Sequence, residues 1–353
     1  MPFDVSDGIR SRDPCRRVRW IVRWTCLAML GAGPFGMLGI GCGQRVDRLY
    51  ALRLDRAPTE AQWEESVALH VTARGGRTSR PGDADVDSDA VHTATASCHH
   101  GTGAPPVDIR VRAFYTAECL YLRAEWVDPT EDVGHQWRWD GARWVANLGE
   151  GEDGLGILWG PAGRTFSCEQ ACHLRDWKME GPRAYADYVM VSPPGTPPLD
   201  LWIWRSGRGR VGGMAEDARL TATGRLGDGA GEWFAPNSLR ASSSAPNAFG
   251  PGDTPLEAPA PAPGALAPAF RLLPVPSGRS EVEGRGSRGR GTWRVTLSRR
   301  LRGLDPDDVA FAPGQELRFG LSTLDGVVKD HNAVSAPIHL VLVDPAALTN
   351  PKE

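Results

Sequence analysis

The chain contains 353 residues, enough for one large domain or two of ordinary size. Its 40 basic and 43 acidic side chains give a formal net charge of −3, which argues against the broad basic surface that binds nucleic acid. Hydrophobic residues make up 41% of the chain, so it has the apolar side chains that a folded core needs. No uncharged apolar run of membrane-spanning length follows residue 41, which excludes a protein with several spans.

The N-terminal segment, residues 1–41, has the pattern of an export signal. Six arginines lie within residues 1–23, an uncharged stretch runs from Trp24 to Gly41, and small residues precede Cys42. A cysteine in this place resembles the lipobox of bacterial lipoproteins, in which the cysteine becomes the acylated first residue. The alternative is an uncleaved single membrane-spanning anchor. Both interpretations predict a periplasmic protein, anchored to a membrane by a lipid on Cys42 or by an N-terminal span.

The sequence after the signal favours strands over long helices. Apolar and polar residues alternate with the period of two that is typical of half-buried strands, and turns rich in Gly, Pro and Asp separate these runs. Many short strands of this kind predict an all-β fold, a β-sandwich with long loops. The predicted strands cover residues 67–71, 109–114, 120–124, 201–204, 293–297 and 338–343.

The pattern predicts one folded domain behind a short tether. Residues 42–58 are assigned to the tether and residues 59–347 to the domain. Pro, Ala, Gly and Ser dominate residues 235–291, which predicts a flexible insertion within the domain. Strand-like sequence resumes at Trp293, so we expect the segments on both sides of the insertion to share one sheet system.

The strongest chemical signal lies between Cys168 and His173. C-type haem attachment normally uses Cys-x-x-Cys-His, in which each thiol adds to a haem vinyl group and the histidine ligates the iron. Here three residues separate Cys168 from Cys172 instead of two. The spacing alone leaves three interpretations open: haem attachment, a disulfide or zinc site, and coincidence.

Further motifs follow in a fixed order along the chain. They are Trp63, residues 121–130 (YLRAEWVDPT), 152–159 (EDGLGILW), 168–173, 200–206 (DLWIWRS) and 293–314. In this order they resemble the haem-binding subunits of ethylbenzene dehydrogenase and dimethylsulfide dehydrogenase, and the stand-alone periplasmic cytochromes related to them. The resemblance covers about residues 60–345 without the proline-rich insertion. It implies an all-β sandwich that holds one haem and transfers electrons. We expect an electron-transfer protein or a subunit of a redox complex and not an enzyme; the alternative, an enzymatic role of the haem, requires an open sixth position at the iron.

The resemblance also implies how the haem is held. In the dehydrogenase subunits a Lys and a Met ligate a non-covalent haem, and the Lys follows a Trp in the motif that reads Trp204-Arg205 here. Arginine stays protonated and cannot donate a lone pair to iron. The chain instead resembles the branch with Cys-x-x-x-Cys-His. That branch implies c-type haem on Cys168 and Cys172 with His173 as proximal ligand; b-type haem is the alternative.

Two single residues are candidates for the second axial ligand. His331 precedes a Val-Ser pair near the end of the fold, where the related proteins often have a histidine, and its ordinary interpretation is an exposed loop residue. Met179 lies shortly after His173, and a thioether ligand would raise the haem potential. Its ordinary interpretation is packing.

A third candidate is the run Cys98-His99-His100. Soft and borderline ligands in a glycine-flanked loop are typical of a metal site. The alternative is a disulfide between Cys98 and Cys119, with both histidines in solvent.

The resemblance implies partners among other periplasmic or membrane redox proteins, including a molybdenum oxidoreductase or a respiratory complex. Two other classes of function remain open from the residues. One is a haem-free β-sandwich that binds glycans or surfaces, and the other is a zinc- or copper-binding protein that uses the Cys and His residues named above. Asp128, Asp153 and Asp187 are assigned structural roles in turns, because Asp caps and bends the chain there.

Overall fold

The structure is a computed structural model. It describes residues 47–74, 106–134, 137–146, 151–160, 172–180, 183–192, 195–227, 233–239, 253–274, 281–327 and 333–344. For residues 172–180 and 183–190 it describes the backbone alone.

Strands dominate the described residues, which confirms the predicted all-β class. The strands of the first half are β1 (Arg48–Arg53), β2 (Leu69–Arg74), β3 (Val107–Tyr115), β4 (Cys119–Val127), β5 (Trp137–Trp139), β6 (Trp144–Ala146), β7 (Glu152–Gly160), β8 (Cys172–Glu180), β9 (Arg183–Met190) and β10 (Leu199–Arg205). Those of the second half are β11 (Glu216–Thr221), β12 (Gly224–Gly227), β13 (Phe234–Pro236), β14 (Leu266–Ala267), β15 (Phe270–Leu272), β16 (Glu283–Gly289), β17 (Thr292–Arg300), β18 (Glu316–Val327), β19 (Ala333–Ser335) and β20 (Ile338–Leu342). The helices are short: α1 (Glu60–Glu65) and α2 (Arg208–Gly212). Within the described part of the chain, no helix has the length and apolar character to span a membrane.

The main sheet contains 13 strands and folds over on itself. Its strand order is β12-β11-β10-β7-β18-β19-β2-β3-β4-β17-β16, and β1 and β20 also join β3 to β18. Strands β10 and β17 lie far apart in this order, yet the rings of Trp204 and Trp293 are 5.4 Å apart. The two halves of the sheet therefore face each other as the layers of a sandwich, with the apolar core between them.

Alternation of side chains explains why these sequences form this sandwich. In β17, Trp293, Val295 and Leu297 are fully buried in the core, while the residues between them face outward. Strand β7 differs because all nine of its residues are buried, as expected for a central strand that is covered on both faces. The predicted strands at 109–114, 120–124, 201–204, 293–297 and 338–343 coincide with β3, β4, β10, β17 and β20.

Two predicted boundaries need correction near the N-terminal side of the domain. The strand predicted at 67–71 begins two residues later, at Leu69, and the side chain of Val67 is 92% exposed. Residues 48–53, assigned to the tether, form β1 inside the main sheet. Leu49 and Ala51 alternate into the core there, while the strand pairs in parallel with β20 and β3.

The described residues of the Pro/Ala/Gly-rich segment also differ from the expected flexible insertion. Strand β16 belongs to the main sheet, where it pairs with β17. Further back, Asn237 is fully buried, and its amide nitrogen donates to the backbone oxygens of Glu257 and Pro268. Ala267 and Ala269 pack with Trp137 in a small separate core. The described residues of this segment are held by the hydrogen bonds of the Asn237 side chain and by short strands, and both are compatible with a sequence rich in proline and alanine.

Replacing Leu49 with alanine tests whether β1 is part of the folded domain. Leu49 is 2% exposed, so we expect Leu49→Ala to lower the free energy of unfolding by about 2–5 kcal/mol in chemical denaturation. The matched control is Leu52→Ala on the same strand, where the side chain is 48% exposed and the expected change is below about 0.5 kcal/mol. If Leu49→Ala changed the free energy of unfolding as little as Leu52→Ala does, residues 48–53 would behave as a tether.

Candidate functional site

The second half of the Cys-x-x-x-Cys-His motif lies at the start of a hairpin strand. Strand β8 begins at Cys172 and pairs antiparallel with β9, so that Cys172 lies opposite Met190 and His173 opposite Val189. The ladder is irregular directly afterwards, with a register shift between Leu174 and Asp176. Cys172 and His173 are thus the first two residues of a strand, and cysteine and histidine are the residue types that hold c-type haem.

The hairpin separates Met179 from His173. Both residues lie on β8, and Met179 pairs with Ala184 close to the turn. Six residues along one strand therefore separate the backbones of His173 and Met179, roughly 20 Å in an extended chain, and Met179 stays a candidate ligand.

Six of the predicted ligand, attachment and lipidation residues lie outside the described residues: Cys42, Cys98, His99, His100, Cys168 and His331. Cys119, the proposed disulfide partner of Cys98, is a half-buried free thiol in β4. Burial raises the pKa of this thiol, so it is a poor nucleophile at neutral pH.

The position of the family lysine is occupied by a buried ion-pair cluster. Arg205 ends β10 and is 3% exposed, with its Nε 3.3 Å from Glu216 Oε1 in the neighbouring strand β11. Arg208 NH1 lies at the same distance, 3.3 Å, from that oxygen. The Nε and NH2 atoms of Arg208 contact Glu152, and each lies 3.0 Å from its Oε2. Two arginines and two glutamates therefore fill this end of the strand.

The arginines control the ionisation of Glu216. Burial on its own raises the pKa of a carboxyl group, but Arg208, Arg205 and Arg225 outweigh it and lower the pKa of Glu216 to about 2. Burial and the neighbouring Arg208 lower the pKa of Arg205, which Glu216 and Glu152 oppose. The guanidinium of Arg205 is thus committed to ion pairing and has no lone pair for iron. A haem held in the manner of the dehydrogenase subunits does not fit this position.

Three glycines enclose the neighbouring Trp204. A Cβ atom at Gly286 would lie 2.0 Å from Trp204 Cζ2, and one at Gly284 or Gly209 would lie 2.6 Å or 2.7 Å from Trp204 Cδ1. Gly209 belongs to α2, whereas Gly284 and Gly286 belong to β16. Because these three glycines have no side chain, α2 and β16 can pack directly against the indole ring.

A cavity of about 240 Å³ opens beside the ion-pair cluster. It is lined by Val133, Glu152, Arg208, Phe270, Leu272 and further residues of these segments. The Arg208 guanidinium lies 4.2 Å from the ring centroid of Phe234 and 4.1 Å from that of Phe270. The volume is below the range of about 300–1,000 Å³ that is typical of ligand sites. We therefore interpret the cavity as a packing gap beside the ion-pair cluster and not as a ligand site.

Asp153 has the structural role predicted for it, but in a strand rather than in a turn. It is fully buried near the start of β7, where Oδ1 accepts from the Gly326 N–H at 3.0 Å. Its Oδ2 accepts from the Asp132 N–H at 2.8 Å and from the Trp293 indole at 2.9 Å. Burial, with the nearby charge of Asp128, raises the pKa of Asp153 to about 7. One carboxyl group thus joins a turn and two strands.

Of the other two carboxylates that were predicted to lie in turns, one does and one does not. Asp128 does bend the chain, because its Oδ1 accepts from the N–H of Thr130 at 3.0 Å directly after β4. Asp187 lies within β9, not in a turn. Asp128, Asp153 and Asp325 each place one carboxylate oxygen within 4.8 Å of the others. Their donors are backbone and side-chain N–H and O–H groups, which is consistent with a structural cluster.

Sequence reasoning missed Glu152, Arg208 and Glu216. Glu152 stood in a motif that was used only for recognition, and the other two residues carry no spacing signal. The available clue was charge inside apolar strand sequence: DLWIWR ends in an arginine, and a buried arginine requires an acidic partner.

The model of the ethylbenzene dehydrogenase family matches residues 62–334, more than half of the chain. The chain belongs to this family. No curated protein matches it.

The comparison with solved structures matches a protein from Bacteroides uniformis ATCC 8492 that is described as carbohydrate-binding. It is 7% identical, with a TM-score of 0.31 and coverage of 82% of this chain and 89% of that one. A family 9 carbohydrate-binding module from Caldicellulosiruptor kristjanssonii in complex with glucose is 10% identical, with a TM-score of 0.29 and coverage of 84% and 97%. Its complex with cellotriose gives 9% identity, a TM-score of 0.30 and coverage of 85% and 96%.

Removing the central carboxylate of the ion-pair cluster should destabilise the domain. In Glu216→Gln, Arg205 and Arg208 lose the charge that they share, so we expect the free energy of unfolding to fall by about 3–5 kcal/mol. The control is Glu283→Gln, whose side chain is 66% exposed and should change the stability by less than about 0.5 kcal/mol. A Glu216→Gln protein as stable as the control would show that the cluster contributes no net stabilisation.

Asp153 should make stability depend on pH. Because its pKa rises from 3.8 to about 7 on folding, protonation stabilises the folded state fully below pH 4, and this contribution is lost as the pH rises through 7. Between pH 5 and 7 we expect a loss on the order of 2 kcal/mol from this group, measured by denaturation at each pH. Asp153→Asn should flatten the profile, because the variant has no group that titrates at this position. An unchanged slope in Asp153→Asn would contradict the raised pKa.

Proposed function

We propose that the protein is a periplasmic electron carrier with one haem bound covalently through Cys168 and Cys172. The observation that carries the proposal is the Cys-x-x-x-Cys-His sequence in a chain that belongs to the ethylbenzene dehydrogenase family. His173 would be the proximal ligand. Bound there, the haem supplies a one-electron couple at its iron atom.

The buried Arg205 supports covalent attachment over the non-covalent mode. At this position a lysine would offer a nitrogen lone pair to iron, whereas the arginine is held by Glu216 and cannot ligate a metal. The chain therefore lacks the lysine ligand of the non-covalent site. Cys168, Cys172 and His173 would provide a different set of groups to hold the haem. The protein around the motif would exclude water and set the potential through hydrogen bonds and burial.

The second ligand in this proposal is His331 or a residue of the run Cys98-His99-His100. Met179 is the third candidate for that position, six residues beyond His173 on the same strand. A chain with both axial positions filled transfers electrons without binding a substrate at iron, so we propose a carrier and not an enzyme. Its partners would be other periplasmic or membrane redox proteins, such as a molybdenum oxidoreductase or a respiratory complex. A lipid on Cys42 or an N-terminal span would keep it at the membrane.

The test is a pyridine haemochrome spectrum of protein exported by a host with cytochrome c maturation, recorded after acid–acetone extraction. We expect haem to stay with the polypeptide and to show thioether-type bands. Cys168→Ser/Cys172→Ser should lose it, while Cys119→Ser, which removes the free thiol in β4, should keep it. Haem that extracts from the wild type would indicate b-type binding, and a colourless protein would favour a haem-free binding module.

The proximal ligand is tested separately by the optical spectrum. His173→Ala should abolish the low-spin haem spectrum, because the iron loses one axial nitrogen. His70→Ala is the matched control, since His70 is an exposed residue of β2. A low-spin spectrum that persists unchanged in His173→Ala would exclude His173 as the ligand.

A further inference from the structure

Only a short segment separates the proposed anchor from the folded domain. Both forms of the anchor, an N-terminal span or a lipid on Cys42, end at residue 41 or 42. Strand β1 begins at Arg48, six residues after Cys42, and lies inside the main sheet. An extended chain covers at most about 3.3–3.6 Å per residue, so Arg48 lies within about 20–25 Å of the anchor. In the anchored protein β1 is therefore close to the bilayer surface.

Strand β1 has apolar side chains on its outer face. Leu49 and Ala51 are buried in the core, and the residues that alternate with them, Tyr50 and Leu52, are on the opposite face. Tyr50 is 53% exposed and Leu52 is 48% exposed. Val341 of β20, which lies beside Tyr50 in the sheet, is half-buried. Tyr50, Leu52 and Val341 thus form one apolar patch, which we call the β1 patch.

The charged side chains beside this patch are paired. Arg48 precedes Tyr50 on the same face, and its NH1 lies 2.9 Å from Glu316 Oε2. His339, the neighbour of Arg48 in β20, contacts the other oxygen of Glu316. An unpaired charge would oppose removal of this face from water, whereas these charges already have partners. The surroundings of the β1 patch are therefore compatible with an apolar or interfacial environment.

We propose that the β1 patch rests on the surface of the lipid bilayer to which the chain is anchored. This inference rests on the membrane anchor of the proposed function and adds which face of the domain meets the lipid. Tyrosine has an apolar ring and a polar hydroxyl, and such residues concentrate at membrane–water interfaces. Leu52 would enter the boundary between headgroups and acyl chains.

The short tether explains why so small a patch is sufficient. A few apolar side chains bind a bilayer only weakly when the protein is free in solution. Attachment within about 20–25 Å makes the contact intramolecular, so that its effective concentration is high. The anchor then supplies the affinity, and the β1 patch sets the orientation of the domain.

Photo-cross-linking in the native membrane tests this orientation on the full exported chain. The photoreactive residue p-benzoylphenylalanine is placed at position 50 or 52, where exposed side chains can be replaced with little effect on stability. The matched control is position 226 in β12, because Leu226 is 48% exposed, as Leu52 is. After irradiation of isolated membranes we expect phospholipid adducts, identified by mass, at positions 50 and 52 and none at position 226.

The outcomes separate this inference from the anchor itself. Protein in the soluble fraction would overturn the anchor and this inference together. Membrane-bound protein without lipid adducts at positions 50 and 52, or with equal yields at 50, 52 and 226, would overturn the orientation alone. Adducts with another protein at position 50 or 52 would also contradict it, since a protein partner would then cover the β1 patch. If the chain with the probe at position 50 does not fold, position 52 decides.

Discussion

The fold depends on how β10 divides its side chains between the two faces of the sheet. Trp204 points into the sandwich, where it meets Trp293 of the opposite layer at 5.4 Å between ring centroids. Arg205, the next residue, must then point to the other face, where α2 and β11 enclose it. A buried guanidinium requires a carboxylate, and Glu216 supplies it. This constraint leaves no electron-pair donor at that position, so a haem in this chain needs ligands from elsewhere.

The sequence predicted the parts of the fold that depend on strict alternation. Trp293, Val295 and Leu297 form the buried side of a strand in both the prediction and the structure. β1 was missed because its apolar face has only Leu49 and Ala51, followed by several charged residues, and such a short pattern looks like a linker. The order of β20, β1 and β3 in the sheet is a long-range property, which no local window of the sequence contains.

The site could be predicted only in part, for the same reason. The Cys168 to His173 motif is local and was visible. Glu216, the partner of Arg205, lies on the next strand of the chain, whereas Trp293 reaches Asp153 from 140 residues away. The turn role predicted for Asp153 rested on residue preference, yet burial places it where a single carboxyl group connects Asp132, Gly326 and Trp293. Charged residues within apolar strands thus mark the places where tertiary contacts decide the structure.

The most direct test of the central claim is the intact mass of the exported protein after denaturation in acid. Covalent attachment predicts the mass of the processed chain plus one haem, with the added mass on the peptide that contains residues 168–173. A denatured chain without the added mass would contradict the account, and Cys168, Cys172 and His173 would then need another explanation.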